Sequence, residues 1–501
     1  MARSHLALPA PIFYVFCEDF PDESSRIPMT STINPSSPAR ECGPDGTAGQ
    51  NHLEKYNVPG PRYTSYPTVP YWDPETFTED RWRETLRRAF AESNERDGIS
   101  LYLHLPYCET LCTYCGCNKR ITKNHDVELP YIAAVLEEWA LYRDLLGSAP
   151  RIREIHLGGG TPTFFSPANL ERLITSLLAG VTLAPSHEFA FEANPNSTTF
   201  EHLETLFRLG FRRLSLGVED FDPRVQEVIN RIQPRERVAT VTRQARGIGY
   251  DSLNFDLVYG LPLQTREGIV DTISAIRELK PDRIAFYSYA HVPWIKGVGQ
   301  RKFSEADLPS GVEKRALYEL GREMLEEAGY REVGMDHFAL PHDDLYRAAT
   351  EERLHRNFMG YTPAHTLLSI GLGVSSISDS WYAFAQNEKV IEDYLKRVAG
   401  GELPIARGHV LDEEDRILRR HILNIMCRFE TTWDRAEMRH PTLRQGLERM
   451  GELERDGIVA VGEESLHVTP AGRPFLRNIC MALDARLWRN EPKTKIFSQA
   501  I

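Results

Sequence analysis

Residues 99–117 read ISLYLHLPYCETLCTYCGC. The first seven, Ile99–Leu105, are β-rich and apolar enough for a strand buried on both faces, and Pro106 ends it. Directly beyond stand Cys108, Cys112, Cys115 and Cys117. Three thiols spaced C-x3-C-x2-C on a loop can each reach one iron of a cubane cluster, because soft sulfur suits iron and a loop can wrap around a corner. Three ligands for four irons leave one iron open to a chelating co-substrate, by the logic that leaves a catalytic zinc one free position. The competing reading is a structural zinc site, since four cysteines would satisfy a tetrahedral ion. Zinc modules usually pair two cysteine hairpins well separated along the chain, whereas here all four cysteines crowd onto one loop.

Outward from this loop, short β-rich runs alternate with amphipathic helical stretches. The runs are 99–105, 152–157, 188–192, 213–218, 253–259 and 283–289, and the helical stretches include 129–146, 168–178 and 224–248. Six βα units imply a parallel sheet, doubly wound or barrel-like, which period alone does not separate. In either case functional residues gather at the carboxyl edge of the strands. That edge carries the glycine run Gly158, Gly159 and Gly160 with Thr161, then Glu192 and Asn194, Glu219 and Asp220, Asp256 and Gly260, and Ala290 and His291. Any one of these groups is an ordinary turn, but together they describe a polar mouth.

The full chain of 501 residues suggests two to four domains. It is 41% hydrophobic and 26% charged, and it holds no uncharged apolar run long enough to span a bilayer, which excludes a membrane-embedded enzyme. Asp and Glu number 71 against 59 Lys and Arg, a net charge of −12 that disfavours a body built to neutralise nucleic-acid phosphates. Any anionic substrate must therefore meet a local basic pocket. The other cysteines, Cys17, Cys42, Cys427 and Cys480, are scattered, so the clustered four read as metal or redox chemistry rather than a disulfide framework.

Residues 1–50 are rich in Pro, Ser and Gly and read as a disordered extension. Within it, the apolar stretch 6–17 carries Pro9 and Pro11 and lacks a cleavage site, so it is not a signal peptide, and Met29 is a candidate start of translation. Residues 55–73, KYNVPGPRYTSYPTVPYWD, are too proline-rich for a helix or central strand and too aromatic for a solvated linker, which predicts an extended arm docked on the body. From about residue 411, helices at 412–426 and 443–456 precede strands at 457–461 and 466–469 turning near Gly462, an order that resembles a winged helix. Acids interleave with its bases, so a lid or packing domain is favoured over DNA binding. His337, His342 and His355 share no ligand spacing and read as structural groups.

The chain resembles the oxygen-independent coproporphyrinogen III oxidase family of the radical S-adenosylmethionine (SAM) superfamily. The markers are YNVPGPRYTSYPT (56–68), CETLCTYCGC (108–117), HLGGGTPT (156–163), NFDLVYGLP (254–262), YAHVP (289–293), MDHFA (335–339), HRNFMGYT (355–362), RNIC (477–480) and FSQAI (497–501). The resemblance runs from about Lys55 to the end of the sequence and implies an α/β fold. This is a partial (β/α)6 radical-SAM barrel with an extended N-terminal arm and a mostly helical, winged-helix-like C-terminal domain. The corresponding divisions are 1–50 (extension), 51–98 (arm and helix), 99–345 (barrel), 346–410 (connecting and substrate-covering segment) and 411–501 (C-terminal domain).

By the same resemblance, Cys108, Cys112 and Cys115 ligate a 4Fe-4S cluster, and Cys117 matches a family cysteine that is not a ligand. Tyr102, Gly159, Glu192 and Ile377 match contacts to the iron-bound SAM. Tyr114, Gly160, Thr161, Glu219, Arg231, Asp256 and Ala290 match a second SAM site. Glu219 stands where the family usually has glutamine, exchanging an amide for a group that, ionised, only accepts hydrogen bonds. No catalytic side chain is carried over.

The implied reaction turns two propionates of coproporphyrinogen III into vinyl groups, giving protoporphyrinogen IX by way of a 5′-deoxyadenosyl radical. A low-potential electron donor such as flavodoxin or ferredoxin is implied, as is a cytoplasmic monomer that binds neither nucleic acid nor membrane. Four substrate carboxylates call for arginine forks, and Arg62, Lys119 and Arg120 are candidates from their place in the arm or beside the cysteine loop. Two rivals remain: a heme-binding and transfer protein of the same superfamily, whose members generally lack the 56–68 arm and a match to Cys117, and a zinc-dependent nucleic-acid-binding protein.

Overall fold

The computed structural model describes residues 52–294, 299–300, 303–363 and 365–501; the expectations for 1–50, with Cys17, Met29 and Cys42, lie outside them. The six runs form strands β1 (Ile99–Leu105), β2 (Arg151–Gly159), β3 (Thr182–Ala193), β4 (Arg213–Glu219), β5 (Ser252–Tyr259) and β6 (Arg283–Ser288). They pair in chain order and all in parallel. All seven residues of β1 are buried, as a central parallel strand requires. Helices start where hydroxyls cap them: Thr78, Ser166, Thr199 and Thr265 each accept from the backbone N–H three residues on. The helical stretch 224–248 is broken into Pro223–Val228 and Arg235–Ile248. Asn230 turns left-handed at φ 54°, and Pro234 has no N–H to carry a helix through.

The sheet is wider than six βα units. Strands β7 (Arg331–Val333) and β8 (His337–Ala339) extend it antiparallel beyond β6, and β9 (Ser369–Leu372) lies parallel on the other side of β1. Antiparallel strands β10 (Ile377–Asp379), β11 (Ala383–Asn387) and β12 (Ile405–Val410) follow it. The order of the 12-stranded sheet is β12-β11-β10-β9-β1-β2-β3-β4-β5-β6-β8-β7. The parallel core thus has seven strands, and residues 346–410, read as a connector, supply four strands to the sheet. These strands are short, and β9 and β12 are interrupted by Gly371 and Gly408, so they show no period in the sequence. A Cβ on Gly371 would lie 2.4 Å from the Ile377 carbonyl oxygen, so the β9–β10 hairpin needs glycine there.

The C-terminal part contains helices Glu413–Arg428, Pro441–Arg449 and Gly451–Arg455 and a three-stranded antiparallel sheet of Glu430–Thr432, Ser465–Val468 and Val459–Val461. The expected helices and two strands are present, and Glu430–Thr432 adds a third. The proline-rich arm is docked here. Tyr63 (2% exposed) and Tyr66 (1%) sit in the same apolar cluster as Ile422, Phe475 and Ile479. Tyr63 donates to Asp484 (2.9 Å). The arm also bridges to the chain's last residues through Pro59 and Gln499, with Ala500 N donating to Val58 O at 2.8 Å. Arg477 clamps both pieces, donating to the carbonyls of Gly60, Pro61, Ser498 and Gln499.

Arg477→Met removes those donors while keeping most of the side-chain volume. It is expected to free the arm, so that limited chymotryptic cleavage after Tyr63 accelerates while the helix and sheet signals in circular dichroism stay unchanged.

Candidate active site

The cysteine loop leaves β1 at Leu105 and is stapled at several points. Arg120 N donates to Pro106 O (2.8 Å), Thr122 N to Cys108 O (2.9 Å), Thr113 N to Ile229 O (2.8 Å) and the Asn230 side chain to Leu111 O (2.7 Å). Its floor is the glycine run after β2: Gly160 N donates to Leu105 O (2.8 Å) and Thr161 N to Tyr107 O (3.0 Å). A Cβ on Gly160 would stand 2.6 Å from the Pro106 carbonyl carbon, so the two loops meet backbone to backbone.

Cys108, Cys112, Cys115 and Cys117 are all free thiols. Cys108 Sγ lies 3.3 Å from Thr161 Oγ1, and Arg231 Nη1 donates to Cys112 Sγ at 3.6 Å. Burial pushes the Cys108 thiol up to about 11 and raises Cys112 as well, so these thiolates form readily only with a cation to bind.

Two adjoining cavities open beside this loop. The smaller, of about 60 Å³, is lined by Tyr102, Gly159, Glu192 and Ile377. The larger, of about 320 Å³, is lined by Tyr114, Gly160, Thr161, Glu219, Arg231, Asp256 and Ala290. Gly116, Cys117, Gly159 and Glu192 line both. In the smaller cavity His104 Nε2 bonds the Asn118 carbonyl (2.8 Å), which can only accept, so Nδ1 accepts from Tyr102 Oη (3.1 Å). Burial lowers the His104 pKa, consistent with a neutral ring. Glu192 faces His156 Nε2 at 3.2 Å and accepts from Gly159 N at 3.3 Å.

In the larger cavity Glu219 adopts φ 66° at a register shift of β4, a left-handed backbone that is costly for a residue with a Cβ and aims its carboxylate inward. Arg231 pairs with it at 3.4 Å. Burial still raises Glu219, and burial together with the Glu219 charge pushes Asp256 up to about 7. Asp256 accepts from Ser215 (2.8 Å) and Asn254 (2.9 Å). Gln300 ties Ala290 O (2.9 Å) to Tyr114 O (3.0 Å).

Several lining residues were not singled out from the sequence: His156, Arg213, Arg283, Tyr287, Asp336 and Arg356. His156 opens the HLGGG motif and its side chain alternates inward on β2, a signal that was available; Arg213 and Arg283 lie at strand starts, Tyr287 near the end of β6, Asp336 just before β8 and Arg356 in the short hairpin of His355–Asn357 and Gly360–Thr362. His337 faces the cavity while bonded to Asp336 at 2.7 Å. His342 is held by Asp282 (3.0 Å), and His355 packs on the His365 ring (4.2 Å), both outside it.

Of the basic candidates, Arg62 lines the large cavity and Lys119 folds over the cysteine loop onto the carbonyls of Cys115 (3.3 Å) and Cys117 (3.2 Å). Arg120 is instead paired with Glu392 at 2.7 Å on the surface, because strand pairing of Arg120–Ile121 with Tyr107–Cys108 turns it outward.

Residues 102–276 match the Radical SAM superfamily. Over 458 residues the chain is 37% identical to the oxygen-independent coproporphyrinogen III oxidase of Helicobacter pylori, spanning 90% of this chain and 98% of that one. Over 456 residues it is 38% identical to the Escherichia coli enzyme of the same name, spanning 90% and 97%. The chain belongs to the oxygen-independent coproporphyrinogen III oxidase family. The solved structure of the Escherichia coli coproporphyrinogen III oxidase HemN, described as a radical SAM enzyme, matches with TM-score 0.79 and 35% identity over 87% of this chain and 98% of that one.

As a radical SAM oxidoreductase of this oxidase family, the chain calls for a 4Fe-4S cluster and SAM. The residues present fit both. Three free thiols on one loop are the soft donors a cluster takes. His156 Nδ1, Arg231 Nε and Asn254 Oδ1 are buried on the large cavity's wall without a hydrogen-bond partner, as a polar ligand would require.

The wall carrying Ile377 is fixed from behind by helix Glu128–Leu146. Tyr131 Oη donates to His104 O (2.7 Å) and accepts from Val374 N (2.9 Å), while the Glu138 carboxylate accepts from Gly373 N (2.8 Å), Asn387 (2.6 Å) and Tyr394 (2.7 Å).

Gly160→Ala is expected to displace the cysteine loop, so that iron and acid-labile sulfide per chain after reconstitution fall several-fold and the unfolding temperature drops. Glu138→Gln puts an amide N–H among three donors and is expected to lower stability by about 1–3 kcal/mol and to weaken SAM binding, read by thermal unfolding and equilibrium dialysis.

Proposed function

We propose that the chain converts coproporphyrinogen III to protoporphyrinogen IX by oxygen-independent oxidative decarboxylation of two propionates. The observation that carries this reading is the meeting of two polar cavities at the cysteine loop, the larger walled by Arg62, Arg213, Arg231, Arg283 and Arg356. Relatives bearing the oxidase name over nine-tenths of the chain favour it over a heme carrier. When bound, the cluster and SAM would supply the one-electron oxidative chemistry that turns a propionate into a vinyl group with loss of carbon dioxide.

The chain's own residues have four tasks. Cys108, Cys112 and Cys115 hold the cluster. Tyr102, Gly159, Glu192 and Ile377 seat the SAM that chelates it, with Glu192 fixed by His156 and Gly159 as an acceptor for an ammonium group. Tyr114, Gly160, Thr161, Glu219, Arg231, Asp256 and Ala290 seat a second SAM, where Glu219 offers only acceptors. Phe358, edge-on to Tyr102 at 4.4 Å, helps keep water from the reacting centre. The remaining assignments are a low-potential donor such as flavodoxin or ferredoxin and a cytoplasmic monomer without nucleic-acid or membrane partners. Among the described residues no helix is long and apolar enough to cross a membrane.

The deciding experiment is anaerobic reconstitution followed by incubation with reductant, SAM and coproporphyrinogen III. Formation of 5′-deoxyadenosine and protoporphyrinogen IX together is expected; 5′-deoxyadenosine without decarboxylation would remove the assigned substrate. Asp256, raised to about 7, is neutral below and ionised above that pH. Affinity for the second, cationic SAM is therefore expected to rise between pH 6 and 8 in equilibrium dialysis, and Asp256→Asn to flatten that rise.

A further inference from the structure

A second chamber of about 320 Å³ lies between helix Gly311–Glu327, the β7–β8 hairpin and residues 470–477. It adjoins the large cavity of the site, with Arg62, Ser288 and Asp336 lining both. Arg62 stands at this boundary, its Nη2 donating to Ser288 O at 2.6 Å.

The chamber walls hold the guanidinium groups of Arg62, Arg315, Arg322, Arg473 and Arg477. Some of that charge is locally balanced: Arg315 pairs with Glu319, Arg322 with Glu319 (2.7 Å) and Glu326 (2.8 Å), and Arg473 with Glu332 at 3.6 Å. Arg477 is different. Its bonds all go to backbone carbonyls, and the neighbouring Lys314 donates to the carbonyl of Tyr289 (3.1 Å) and to an oxygen of Ile501, the last residue of the sequence (3.3 Å). Neither cation has a carboxylate side chain within ion-pair distance among the described residues. Burial first, and the charges of Arg62 and Arg477 next, push Lys314 down to about 7, and burial and Arg62 push Arg477 down to about 9. Buried like charges held close together are costly, and an incoming anion relieves part of that cost.

The large cavity's walls are taken up by the SAM contacts assigned above, so a tetrapyrrole needs further room beside them. We propose that this chamber receives the carboxylates of the polycarboxylate substrate that are not being decarboxylated, with Arg62 at the boundary between the reacting and the held groups. The assignment rests on the oxidase reading for the identity of the substrate, but the class of ligand, a compact polyanion carrying several carboxylates, follows from the chamber's arginines. Arginine forks suit such groups, and holding them orients the reacting propionate toward the cysteine loop.

The test uses the full-length, reconstituted protein and two rim substitutions, Arg322→Glu and Arg473→Glu. Arg473 is half-exposed and its ion pair is long, so its variant is expected to keep the wild-type unfolding temperature and SAM affinity. Binding is read without turnover, by fluorescence titration with coproporphyrin III, which carries four carboxylates, and with protoporphyrin IX, which carries two. The charge reversals are expected to weaken coproporphyrin III binding at least tenfold and protoporphyrin IX binding much less. In turnover they are expected to raise KM for coproporphyrinogen III with kcat nearly unchanged, and to release the tricarboxylate intermediate after one round. Unchanged affinity for coproporphyrin III in both variants would overturn the proposal, even in an enzyme that decarboxylates normally. A wild-type protein that fails to decarboxylate while its coproporphyrin binding still depends on Arg322 and Arg473 would instead overturn the oxidase reading and leave the chamber as a polycarboxylate site.

Discussion

The contact on which the site depends is a meeting of two backbones. Beyond the ends of β1 and β2 the ladder continues for one more step on each side, through Gly160 N to Leu105 O and Thr161 N to Tyr107 O. That step presses the cysteine loop onto the glycine run, which is why residue 160 can carry no side chain. It puts Cys108 within reach of Thr161 and sets Gly159 beneath His104. The smaller and larger cavities meet at this seam, and the residues lining both come from it, from the strand end at Glu192 and from Phe358 and Met359 of the short hairpin.

Charge is distributed to match. A chain of net charge −12 gathers arginines along the inner wall and pairs some of them with carboxylates placed behind or beside them, as Arg213 with Glu188 (2.8 Å) and Arg283 with Asp343 (2.5 Å). Asp336 sits among Arg356, His337 and Arg62, which hold its carboxyl down at about 2 despite burial. Such pairs orient the guanidinium groups without extinguishing their donors, since five N–H groups exceed what one carboxylate can accept. Asp256 and Glu219 behave oppositely: burial dominates both, Arg231 offsets it only in part at Glu219, and the Glu219 charge adds to it at Asp256, so both carboxyls are raised.

How much of this was readable beforehand follows from the length of the elements. The six long parallel strands and the cysteine loop announce themselves, because buried parallel strands are continuous apolar runs and a cysteine triad is a chemical signature. The strands from β7 to β12 are three to six residues long, and nothing in them distinguishes a strand from a loop. The motif residues from Tyr102 to Ile377 do face the two cavities, yet the basic wall was harder to foresee. Arg120 looked as plausible as Arg62 in sequence, and only the strand pairing that turns it toward Glu392 separates them. Arg213 and Arg283 begin their strands, where a polar residue reads as a solvated end rather than a barrel floor.

The pairing of Pro59 with Gln499, locked by Arg477, has a consequence for how the molecule is made. Two segments about as far apart in the chain as the described residues allow must find each other before the side of the sheet is covered. The βα core and its cysteine loop, built from contacts closer in sequence, can form earlier during synthesis. Closure of the arm over the body is therefore a late step, which follows formation of the barrel that presents the cysteine loop.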